Sequence, residues 1–129
     1  MSIPWLAVVV ATVAAFAVGF LWYGPLFGKT WSNLIGMTDE KRKKANMGQV
    51  FGIAIALTLV MTILFAGLLP GEVDATSGLQ YGAVVGAIIL CAFGINAQFA
   101  QTPLMLTLID GGYMFVTTLV MGLVLGAMG

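Results

Sequence analysis

Residues 48–69 read GQVFGIAIALTLVMTILFAGLL, 22 consecutive residues without a charge, and residues 39–44 just before them read DEKRKK. An α-helix rises about 1.5 Å per residue, so roughly 20 apolar residues cross the hydrocarbon core of a bilayer. The apolar run therefore predicts a membrane-spanning helix, and the charged string predicts which of its ends stays in water. Three further runs of similar length lie at 3–23, 78–98 and 103–128, and Asp110 is the one charge inside any of the four. The expected fold is all-α: a polytopic four-helix transmembrane bundle in a single membrane domain, 1–129, with a basic loop at about 24–47.

Composition agrees. Hydrophobic residues make up 60% of the chain and charged ones 8%, where a soluble domain carries about a quarter charged. Five basic and five acidic residues cancel, which leaves no clustered positive surface for nucleic acid. The chain has no His and a single thiol, Cys91. That excludes within one chain a His/Cys zinc site, a His-ligated haem, Ser/His or Cys/His catalysis and a disulfide. Neither a metal nor a cofactor is expected.

All five basic residues, Lys29, Lys41, Arg42, Lys43 and Lys44, fall between the first two spans, whereas the loop after the second carries Glu72 and Asp74. Loops rich in Lys and Arg stay cytoplasmic, so the loop at 24–47 is expected inside and both termini outside. The basic cluster should sit in an extension of the second helix and touch anionic headgroups. The first span lacks a charged leader region and a small-residue cleavage site, and is expected to remain as a helix. Trp22, Tyr23 and Trp31 are expected to be interface anchors, Gly24-Pro25 to stop the first helix, and Leu26 to Ile35 to form a short segment along the membrane surface. Thr38 is a candidate N-cap. Ser77 with Gln80 has the spacing of a capping box for the third helix, and Thr102-Pro103 should start the fourth.

Lipid tails are as apolar as Leu, so helices in a membrane associate through close packing of small residues and interhelical hydrogen bonds. Such residues recur every four positions: Ala7, Ala11, Ala15 and Gly19; Ala54, Thr58, Thr62 and Ala66; Gly78, Gly82 and Gly86 with Ala83 and Ala87; Thr118, Gly122 and Gly126. Each helix is expected to present a face for close approach, and a stripe left outward would serve contacts between chains.

An ionisable residue within a span is costly and marks a candidate site. Starting the fourth helix at Thr102-Pro103 places Asp110 about two turns inside it. A hairpin between the third and fourth spans should bring Asn96 opposite Asp110, with Tyr113 one turn further on the same face and Lys29 reaching in from the loop. These four residues form the candidate polar or ion site, with Gln98 and Gln101 nearby and Gly111-Gly112 allowing close approach of a helix or ligand.

Two strings carry a resemblance to a known family. Gly19-Phe20-Leu21-Trp22-Tyr23-Gly24-Pro25-Leu26-Phe27-Gly28-Lys29-Thr30-Trp31 resembles the N-terminal signature of the DUF1761 family, small bacterial integral membrane proteins of uncharacterised function. Leu108-Ile109-Asp110-Gly111-Gly112-Tyr113, followed by Met121-Gly122 and Leu125-Gly126, is similar to that family's C-terminal pattern. Between the third and fourth spans the family pattern often carries a Glu with basic neighbours, where this chain has Asn96, Gln98 and Gln101. The resemblance implies a four-helix domain in the bacterial inner membrane and no established activity. The expected role is that of a non-enzymatic structural or accessory component, a homo-oligomer or a subunit of a larger membrane complex. The alternative is a small oligomeric transporter or channel using Asp110 as a protonatable or cation site.

Overall fold

The structure, a computed structural model, describes residues 3–128, so positions 1, 2 and 129 of the expected domain lie outside the described residues. Its helices are α1 (Trp5–Leu21), extended by a π-helical turn (Trp22–Leu26), then α2 (Gly28–Ile35), α3 (Asp39–Lys44), α4 (Met47–Leu68), α5 (Ala75–Ala100) and α6 (Leu104–Met128). Four of these, α1 with its π turn, α4, α5 and α6, are long and apolar enough to cross a membrane.

Small residues decide how the long helices meet. Ala7, Val8, Ala11 and Ala15 of α1 are buried with Phe65 of α4 and with Met121 and Leu125 of α6, so the core sits where these three helices converge. Within it the Thr hydroxyls bond back along their own helices, Thr12 to the Val8 carbonyl at 2.8 Å and Thr62 to the Thr58 carbonyl at 2.7 Å. Their polar atoms are thereby satisfied without water. α5 packs along α6 and makes no comparable contact with α1 or α4 among the described residues. A methyl group added to Gly78 would fall on the Gly122 carbonyl, and one added to Gly82 on the Thr118 carbonyl, so the two backbones touch. At the far end the Asp74 carbonyl lies against Gly126, which puts the acidic loop beside the end of α6. The basic segment and the α5–α6 turn lie at the opposite end, where α2 contacts α6.

Several local expectations are corrected. Gly24-Pro25 does not stop the first helix. Pro25 lacks an amide hydrogen and its ring crowds the carbonyl four residues back, and the chain relieves this by widening into a π turn, in which Phe27 N–H donates to the Trp22 carbonyl at 2.8 Å. The next residue must be glycine, because a side chain at Gly28 would strike the Tyr23 carbonyl. The basic cluster is not an extension of the second helix either. It forms its own helix, α3, capped by the Thr38 hydroxyl as expected, and Ala45 and Asn46 separate it from α4. Asn46 takes over as the cap, accepting from Gln49 N–H at 3.1 Å. α5 begins at Ala75 with Asp74 as its cap, so Ser77 lies inside the first turn rather than at its start. A charged carboxylate accepts an amide hydrogen more strongly than a neutral hydroxyl. α6 starts within a residue of Thr102-Pro103, with the Leu106 and Thr107 N–H groups both donating to the Pro103 carbonyl.

Candidate functional site: the clamp between the π turn and α6

The π turn has a local cause, and it sets the geometry of the site. By widening the helix it turns Trp22 and Tyr23 toward α6. The Trp22 indole N–H donates to the Ile109 carbonyl at 2.8 Å, and the Tyr23 hydroxyl donates to Asp110 Oδ1 at 2.6 Å. Adjacent residues of one element therefore grip adjacent residues of another.

Aromatic rings complete the arrangement. Tyr23 meets Tyr113 edge-on with centroids 5.2 Å apart and Trp31 at 5.1 Å, while Trp22 packs on Phe27 at 4.9 Å. Glycines make the room. A methyl group on Gly112 would come within 3.1 Å of the Trp22 indole, one on Gly19 within 3.2 Å of the Tyr113 hydroxyl, and one on Gly111 would fall on the Leu90 side chain of α5. Gly111 thus admits a helix and Gly112 a ring, which accounts for the Gly-Gly pair beside Asp110.

Of the four candidate polar residues, the structure brings two together. Asp110 and Tyr113 both engage Tyr23, but Tyr113 points its hydroxyl at the Ala15 carbonyl, 3.5 Å away, rather than at Asp110. Asn96 is not opposite Asp110. The backbone approaches of Gly78 to Gly122 and Gly82 to Thr118 put Leu90 beside Gly111, which leaves Asn96 more than a turn nearer the hairpin and exposed. That pairing sets Asn96 level with the first turn of α6, which begins at Leu104. Lys29 is exposed on α2, and the partner of Asp110 is Tyr23. Gln98 and Gln101 are exposed as well, with the Gln101 side-chain amide donating to the Gln98 carbonyl at 2.9 Å.

Tyr23 is the site residue that sequence reasoning assigned elsewhere, as an interface anchor together with Trp22 and Trp31. All three are half-buried and each packs against an aromatic ring or a polar group of the clamp. The signal for them lay in the two recognisable strings, 19–31 and 108–113, which the fold superimposes. Chemically the clamp is one carboxylate with one phenol donor. Among the described residues no group of three or more His, Cys, Asp or Glu could hold a metal ion.

Gly82, Gly86, Gly122 and Gly126 are buried at the α5–α6 contact and around it, and Gly19 faces Tyr113. Neither a curated protein nor a solved structure matches the sequence. The family model described as "Protein of unknown function (DUF1761)" matches residues 6–126, a span that takes in both halves of the clamp and all four long helices, and the chain belongs to that family.

Proposed function

We propose that this chain is a non-enzymatic membrane component that acts by assembly, as a homo-oligomer or as a small subunit of a larger membrane complex. The observation that carries this reading is the placement of α5. It leans on α6 and leaves Ala83, Ala87 and Cys91, spaced by four, along a flank that no other helix covers to a comparable extent. Small residues at that spacing let a further helix approach closely in lipid. The placement of Asp110 supports the same reading, since its Oδ1 holds the π turn to α6 instead of facing a string of polar groups across the bundle. The five basic residues at one end favour a cytoplasmic α2–α3 segment, with both termini outside, in the inner membrane of a bacterium.

The test is the mass of the particle taken from native membranes in lipid-preserving discs. A discrete assembly larger than one chain is expected, with oxidative cross-linking of the lone Cys91 in intact membranes reporting whether α5 is at the contact, and Ala87→Phe breaking that contact. A single chain without a stoichiometric companion overturns the reading. Ion or proton flux in proteoliposomes that disappears in Asp110→Asn would replace it with the transport reading.

A further inference from the structure

α1 and α4 are tight at one end and apart at the other. Near the acidic loop they share the buried Ala7, Val8, Ala11 and Phe65, but toward the basic segment Met47, Val50, Phe51 and Ile53 of α4 are all exposed. Between the splayed ends lies an open groove of about 480 Å³, within the size range of small-molecule sites. Phe16 and Phe20 of α1 and Phe51 of α4 line its sides, Tyr113 of α6 lies at its back and Trp31 of α2 at its end, with Ala54 making the room.

Its position says what enters. The lining is almost wholly apolar and lies within spanning helices, so hydrocarbon fits it and a hydrated solute does not. Three lining residues, Gly24, Trp31 and Val50, belong to the segments that run into and out of the basic stretch. Lys41 to Lys44 are all exposed on α3, immediately before α4. α3 is tied down beside α2, with the Lys41 ammonium donating to the Gly36 carbonyl at 3.1 Å and the Arg42 guanidinium to the Ser32 hydroxyl at 3.3 Å. A fixed positive surface therefore adjoins the end of an aromatic-sided apolar groove. Basic clusters next to a membrane helix attract anionic headgroups.

We propose that the groove between α1 and α4 holds an acyl chain of an anionic membrane phospholipid, whose phosphate is bound by the basic residues of α3. This site stands apart from the α5 flank on which the assembly reading rests, and either can fail alone.

The experiment uses the full chain carrying Trp5→Phe, in phosphatidylcholine bilayers containing a minor fraction of phosphatidylglycerol or of phosphatidylcholine with brominated acyl chains. Bromine quenches indole fluorescence on contact, and comparison with the additional Trp31→Phe variant isolates the Trp31 signal. Quenching of Trp31 is expected to show at least a ~5-fold preference for the anionic lipid, the size of effect that one headgroup contact with a basic side chain produces. Ala54→Phe should abolish the quenching by filling the groove. Gly24→Leu should do the same at its end, where an added Cβ meets nothing within 4 Å. Replacing Lys41, Arg42, Lys43 and Lys44 with Gln should remove the preference between headgroups and leave quenching by both lipids. Equal quenching by the two lipids in the parent protein overturns the proposal. So does quenching that survives both groove-filling variants. A change in particle mass on filling the groove, with Trp31 unquenched in the parent, would overturn it in favour of a second protein chain as the occupant.

Discussion

The Tyr23 hydroxyl and Asp110 Oδ1 lie 2.6 Å apart, and this contact joins two segments that are 87 residues apart in sequence. Removing one partner of a hydrogen bond, so that a buried polar group is left unsatisfied, costs about 1–3 kcal/mol. Tyr23→Phe keeps the ring against Tyr113 and Trp31 while removing the donor. We expect it to lower stability by about 2 kcal/mol, read as an earlier thermal unfolding transition of the purified protein, and an unchanged transition would show that water replaces the phenol freely. The opposite sign is expected at Thr117. The residue is 1% exposed and its hydroxyl has no hydrogen-bond partner among the described residues. Thr117→Val has the same shape without the polar atom, and removing an unsatisfied buried group is expected to raise stability by about 1 kcal/mol. The same unfolding measurement checks it, and a loss of stability would place an unseen acceptor beside the hydroxyl.

At the scale of elements, α3, α4 and α5 each start on a side-chain cap, and one of the three titrates. Asp74 accepts the Ser77 N–H at 2.8 Å at the start of α5, and hydrogen bonding from Ser77, the backbone amide foremost, holds its carboxyl below the ordinary value of 3.8. A carboxyl whose value is lowered in the folded state binds its proton more readily when unfolded. Its contribution is therefore complete above the ordinary value and is lost as pH falls through the lowered folded value. Asp74→Ala should unfold earlier than the parent at neutral pH, and the gap between the two should close in strong acid. A gap that persists there would mean that the side chain acts through packing and not through its charge. The π turn is the other element whose ending matters. Because Pro25 forces the widening and Gly28 admits the Tyr23 carbonyl, the turn both lengthens the first span and aims Trp22 and Tyr23 at α6.

For the whole molecule, the hydrophobic effect gives no direction inside lipid, so the arrangement follows from where backbones can approach. α5 and α6 come together at Gly78, Gly82, Gly122 and Gly126 with no space for a methyl group. Gly82→Val is expected to push α5 off α6, at a cost at the upper end of the about 1–3 kcal/mol that overpacking brings. The clamp, which is built from the π turn and α6, should persist. Faster proteolysis in the 101–103 turn with unchanged Trp22 fluorescence would report this outcome, and a simultaneous change at Trp22 would mean that α5 supports the clamp.

The four spans, the small-residue stripes, the Thr38 cap and the presence of a charge within a span at Asp110 were legible in the chain, because each depends on local properties: apolar length, spacing by four, and residue type at a helix start or within a span. The contacts of Asp110 were not legible in that way. A hairpin tells that α5 and α6 are neighbours but not their register, and the glycine contacts set that register so as to leave Asn96 exposed near the turn. Nor does spacing show that a proline will widen a helix instead of ending it, since this depends on whether the side chains of the widened turn find partners elsewhere. Here α6 supplies them, the Ile109 carbonyl for Trp22 and the Asp110 carboxylate for Tyr23. The sequence by itself determined that the chain is a four-span membrane helix protein with its positive charge at one end, because hydrocarbon admits little else. The tertiary structure alone decided that Tyr23, and not Asn96 or Lys29, meets Asp110, because that choice belongs to close contact between residues far apart in the chain.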